Sequence, residues 1–131
     1  MEIGFKGQSA HTVTPQDTAL AQSSGSLDVL ATPKLVAWME QAAWTSVQPF
    51  LNDGESTVGT RMDISHEAAT PIGMAVRCES TLFCIEGRKL AFDITAFDEE
   101  GVVARASHER FIIGSARFLE KTNAKSKQEL K

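Results

Sequence analysis

Three side chains along this sequence could do chemistry together: a hydroxyl at Thr32, a carboxylate at Glu40 and an imidazole at His66. A carboxylate can serve as base or nucleophile, an imidazole can carry or orient a proton, and a hydroxyl can attack or position a water. Glu40 is the informative member. It falls within an apolar helical pattern, where burying an ionised carboxylate without partners costs several kcal/mol, and where apolar surroundings would strengthen it as a base. Periodicity alone favours a plainer reading, a carboxylate at the edge of the stripe that reaches water or a structural partner. Thr32 likewise reads as a helix N-cap whether or not it reacts, and His66 as a hydrogen-bonded histidine at a strand end.

The element that must position Glu40 runs from Thr32 to Leu51. Thr32 suits the cap and Pro33 the first helical position, where a missing N–H costs nothing. At about 100° per residue from Leu35, residues Met39, Phe50, Ala43, Val36 and Val47 fall within roughly 120°, Leu51 and Trp44 widen the arc, and Glu40 lands near 140°. Asn52-Asp53-Gly54 supplies stop chemistry, and Pro49 loosens the last turn. Thr32 and Glu40 are about 12 Å apart along such a helix and roughly 80° around it, too far to bond each other. They could flank one substrate, particularly where two copies of the chain converge.

The remaining pattern is strand-like. Residues 6–14 form an early strand ended by Pro15, 17–31 a loop with a Ser-Ser-Gly-Ser turn signal, and 56–66 a strand ending at His66. Met74 to Ile85 alternates Val76, Cys78, Ser80, Leu82 and Cys84 against Arg77, Glu79 and Thr81. Glu86-Gly87-Arg88 turns the chain into Leu90, Phe92, Ile94 and Ala96, and Asp98-Glu99-Glu100-Gly101 turns it into a last strand over 102–118. His108 and Arg110 belong to that strand, where His108 reads as structural. His11 has no supporting context, and Gly59 marks a bulge or a close backbone approach. One long helix and a meander of long strands predict an α+β domain over 1–118, a curved antiparallel sheet wrapped around the helix. Because one helix cannot cover five strands, the chain is expected to dimerise. Residues 119–131 read as a polar, Lys-rich tail or short surface helix.

Composition bounds the function. The chain has 131 residues, 42% hydrophobic and 23% charged, the profile of one ordinary globular domain. A net charge of −4 argues against a broad basic nucleic-acid face. No apolar run approaches the roughly 18 residues of a membrane span, and the first residues lack a signal-peptide core, so a cytoplasmic protein is expected. Cys78 and Cys84, about 20 Å apart on one strand, cannot pair with each other there and match no zinc spacing.

In order along the chain, Ala31-Thr32-Pro33-Lys34-Leu35-Val36-Ala37-Trp38-Met39-Glu40, Thr57-Val58-Gly59-Thr60, His66-Glu67-Ala68-Ala69-Thr70-Pro71-Ile72-Gly73, Glu86-Gly87-Arg88 and Ser107-His108-Glu109-Arg110 resemble the hotdog-fold thioesterases of the fluoroacetyl-CoA thioesterase-like group. The resemblance implies a hotdog fold, a homodimer with active sites at the subunit interface, and hydrolysis of a short to medium acyl-CoA without a cofactor or metal. It also implies that Thr32, Glu40 and His66 are catalytic and that Gly59 lines the acyl pocket. The sequence departs from a fluoroacetyl-selective member in having no aromatic residue between Phe5 and Trp38. Leu20, Leu27, Val29 and Leu30 are expected to form an aliphatic cover instead. The competing functions are a noncatalytic acyl-CoA-binding hotdog module and a hotdog enoyl-CoA hydratase. For the hydratase, Met62-Asp63-Ile64-Ser65-His66 offers acid and base but lacks the Asn-Pro context.

Overall fold

Small residues decide how the helix meets the sheet. In the computed structural model, which describes the backbone of residues 1–129 and the side chains of residues 1–126, strand β1 (Lys6–Thr12) passes directly under helix α1 (Thr32–Val47). A Cβ on Gly7 would collide with the Ala42 carbonyl oxygen and would lie 2.6 Å from both Ser46 Cβ and Ser80 Oγ. Ser9 Oγ donates to the Trp38 carbonyl at 2.7 Å and Ser80 Oγ to the Ala42 carbonyl at 3.2 Å. The close approach therefore leaves these buried hydroxyls satisfied.

The other strands are β2 (Glu55–His66), β3 (Ala75–Glu86), β4 (Lys89–Asp98) and β5 (Gly101–Gly114), followed by helix α2 (Ser115–Glu129). They form one antiparallel sheet in the order β1-β3-β4-β5-β2, the expected curved sheet around one helix. The core lies between α1 and the inner face, where Leu35, Met39, Ala42, Val47, Leu82, Leu90 and Phe92 are fully buried. The predicted alternation in β3 holds, with Val76, Cys78, Ser80 and Leu82 inward. Both cysteines are free, and burial pushes the Cys78 thiol up to about 11.

Four sequence expectations need correction. The N-cap of α1 is Ala31, and Thr32 is already helical, which frees its hydroxyl for another partner. The buried arc of α1 is turned toward Trp38 and Ala42, leaving Trp44 and Phe50 40% and 46% exposed. Pro49 converts the helix end into a short 3-10 turn over Gln48–Phe50. The last strand stops at Gly114 rather than 118, because Ser115 onward offers good helix formers, including Ala116, Arg117, Leu119, Glu120 and Lys121. Residues 130 and 131 of the expected tail lie outside the described residues.

Candidate active site

The helix start is held by the loop before it. Asp17 Oδ2 accepts from the Thr14 N–H and hydroxyl at 2.9 and 2.8 Å, and the Asp17 carbonyl accepts from the Ala31 N–H at 2.9 Å. Asp17 is buried, which alone would raise its carboxyl, but these Thr14 bonds and nearby Lys34 leave it below the usual value. Thr32 emerges from this brace with its Oγ1 2.7 Å from His66 Nδ1, at the end of β2. Burial pushes the His66 imidazole below its ordinary value, so it stays neutral at pH 7. No group among the described residues bonds its Nε2. Thr32 and His66 line a cleft of about 290 Å³ with Ala19, Ser24, Val29, Leu30 and residues 67–69. Of the four aliphatic residues expected to cover it, Val29 and Leu30 do so, whereas Leu20 and Leu27 are 55% and 66% exposed.

Glu40 stands elsewhere. Its Oε2 lies 3.1 Å from Arg110 Nη1 and 4.0 Å from His108 Nε2, above Gly59. A Cβ at Gly59 would come within 2.6 Å of that oxygen, so the carboxylate's seat depends on a missing side chain. The apolar surroundings expected for Glu40 are replaced by a guanidinium, and its side chain keeps 36% exposure. Arg110 is almost fully buried, with Nε donating to Thr57 Oγ1 at 2.8 Å and Nη2 to the Thr57 carbonyl at 3.0 Å. Burial pushes Arg110 down and Glu40 draws it back up, yet an arginine starts so high that it stays charged.

Thr32 and His66 are thus joined, and Glu40 is not with them. Thr32 meets the end of β2 while Glu40 meets Gly59 near its start, so α1 runs counter to β2. His66 and Gly59 are seven positions apart, about 20 Å along a strand. Neither the helix nor the strand lets the two groups of one chain converge on one carbonyl.

Sequence reading missed Arg110 and took His108 as structural. A signal was present. Ala104, Ala106, His108, Arg110 and Ile112 share the face of β5 opposite Arg105, Ser107, Glu109 and Phe111. That phase puts two polar groups on the core side of the sheet, the same anomaly that drew attention to Glu40.

Comparison with known proteins agrees with this architecture. The sequence profile of the fluoroacetyl-CoA-specific thioesterase family matches residues 13–116. The fluoroacetyl-CoA thioesterase of Streptantibioticus cattleyicolor is 38% identical over 101 residues, 77% of this chain and 70% of that protein. A solved variant of the fluoroacetyl-CoA thioesterase FlK superposes with a TM-score of 0.90 at 30% identity, over 95% of this chain and 97% of that one. Another variant, solved with acetyl-CoA, gives 0.86 at 32% identity over 98% of both chains. A Thermus thermophilus member of the thioesterase superfamily gives 0.89 at 26% identity, over 99% of this chain and 97% of that one. The chain belongs to the fluoroacetyl-CoA-specific thioesterase family, as a hotdog-fold acyl-CoA thioesterase.

Proposed function

We propose that this chain hydrolyses a short to medium acyl-CoA thioester in a homodimer whose sites each combine Thr32 and His66 with Glu40 of the partner subunit. The carrying observation is the split constellation: a bonded Thr32–His66 pair in a cleft, with His66 Nε2 open and Glu40 at the far end of β2. β2 is a 12-residue edge strand, and a long unpaired edge is a liability unless another strand covers it. An antiparallel copy paired about a two-fold axis near Met62 and Asp63 would set its Gly59, and the Glu40 above it, opposite His66.

In this arrangement Glu40 takes a proton from water as the oxygen attacks the thioester carbonyl. The C–S bond then breaks, and the departing CoA sulfur takes a proton relayed through His66. Thr32 holds the imidazole through Nδ1. The N–H groups of Thr32 and Lys34, which have no intrahelical acceptor, give the first turn of α1 a positive end for the developing oxyanion. Small and aliphatic lining supports an unfluorinated acyl group. Arg77, Arg88, Lys89 and Arg105 each face a carboxylate, whereas Arg61 has none within 4.0 Å among the described residues, which favours Arg61 as the contact for the CoA phosphates.

The test is thiol release across a panel of acyl-CoAs with Glu40→Gln and His66→Asn, alone and mixed after subunit exchange. Each variant alone is expected to be inactive. The 1:1 mixture should recover about one quarter of wild-type activity, because half the dimers are mixed and each of those has one intact site. Folded Glu40→Gln turning over at the wild-type rate sinks the role of Glu40. No recovery on mixing sinks the shared site.

A further inference from the structure

His108 is buried to 1% exposure, and every bond it makes specifies the same ring state. We propose that His108 is a positioning residue whose single tautomer fixes the Arg110 guanidinium and, through it, the Glu40 carboxylate. An arginine has only donors. Arg110 Nη1 lies 3.2 Å from His108 Nε2, so that nitrogen must accept. On the other side His108 Nδ1 is 2.7 Å from the Arg61 carbonyl oxygen, so Nδ1 must carry the hydrogen. A half-turn of the ring would put carbons at both places. Phe92 packs beside it with ring centroids 6.1 Å apart.

The consequence falls on Nη1, which has two hydrogens. One goes to His108 and the other to Glu40 Oε2, while Thr57 takes Nε and Nη2. Three anchors on the sheet therefore aim the remaining N–H at the one partner that stays partly open to solvent. The Arg61 carbonyl follows the β2 irregularity between Gly59 and Arg61, so His108 also ties this aim to the strand segment beneath Glu40. A protonated ring would present an N–H to an N–H. The charged groups around it are Glu40 on α1 and Glu109 and Arg110 on β5, and burial keeps the ring below its ordinary value.

The inference rests on reading Glu40 as the carboxylate of hydrolysis. Its test uses two substitutions that each keep half of the ring's chemistry. His108→Gln can place an acceptor near Nε2 but loses the donor to Arg61. His108→Asn can keep that donor but reaches nothing on Arg110. With rates normalised to folded protein, His108→Gln is expected to keep kcat within about threefold. His108→Asn should lose roughly tenfold to hundredfold in kcat with little change in KM, the effect of leaving a buried charged donor unpaired. Equal losses, or no loss in either variant, overturn the proposal. ¹⁵N-histidine NMR of the unmodified protein at neutral pH gives a reading independent of folding in the variants. A protonated Nδ1 with unprotonated Nε2 is expected, and the opposite tautomer or an imidazolium overturns it. Glu40→Gln, assayed beside them, separates the two ideas. If it is inactive while His108→Asn is fully active, only the role of His108 fails, and if it is fully active the reading of Glu40 fails.

Discussion

Replacing Gly59 by alanine tests the site with a single methyl group. The new Cβ would start 2.6 Å from Glu40 Oε2, and 3.3 Å from both Arg110 Nη1 and His108 Cε1. Ordinary contact begins at 3.4 Å, so the carboxylate oxygen must withdraw by 3.4 − 2.6, or 0.8 Å. The two other neighbours are nearly tolerable, and the atom that must move is the end of a flexible side chain. Gly59 has no positive φ, so alanine fits the backbone, and its smaller unfolded-state entropy offsets some of the crowding. The expected change in stability is within about 1 kcal/mol. Activity should respond far more strongly, since misplacing a reacting group by roughly 1 Å can cost about a hundredfold, or about 2.7 kcal/mol of barrier. Thiol release from the best acyl-CoA of a panel gives kcat/KM, and thermal unfolding gives stability. A Gly59→Ala enzyme as active as wild type would refute the argument that Glu40 must sit against the bare backbone of β2. A large loss of stability would refute the claim that the side chain yields.

Three further outcomes follow from the same geometry. Gly7→Ala should destabilise by about 2–4 kcal/mol, because the clash is with the backbone carbonyl of Ala42 and cannot be relieved by a rotamer change; unchanged thermal unfolding would contradict the close packing of β1 on α1. Thr32→Ala should leave stability within about 0.5 kcal/mol, rather than costing the roughly 1 kcal/mol of a lost cap, since Ala31 is the N-cap; it should nevertheless lower kcat, because the hydroxyl on His66 Nδ1 is gone. Burial holds both His66 and His108 below the ordinary value of 6.5, so below pH 6.5 the unfolded chain binds more protons than the folded one and stability falls as pH drops. Denaturant unfolding between pH 7.5 and 5 should show that fall, reduced in His108→Gln; an equal slope in both proteins would count against a neutral buried ring.

Much of this protein was legible in its residues because the signals are local. Thr32-Pro33 and Asn52-Asp53-Gly54 bracket a helix whatever surrounds it, and the alternation from Val76 to Cys84 marks a strand facing a core. The apolar periodicity of α1 located Glu40 at the edge of the buried stripe, next to Val47, where the structure finds it. The identity of its neighbours was a different matter. Glu40 and Arg110 are 70 positions apart, and they meet only because β2 and β5 pair in a register that sets Gly59 opposite Arg110. The same pairing turned Thr32 from a cap into the partner of His66, since the helix start is braced by Asp17 and the end of β2 lies beside it. The sequence by itself determined which side chains could react and which elements carry them, through hydrophobic period and turn chemistry. Only the tertiary structure decided that Thr32–His66 and Glu40–Arg110 stand at opposite ends of one strand, because strand order and register are set by packing between distant segments.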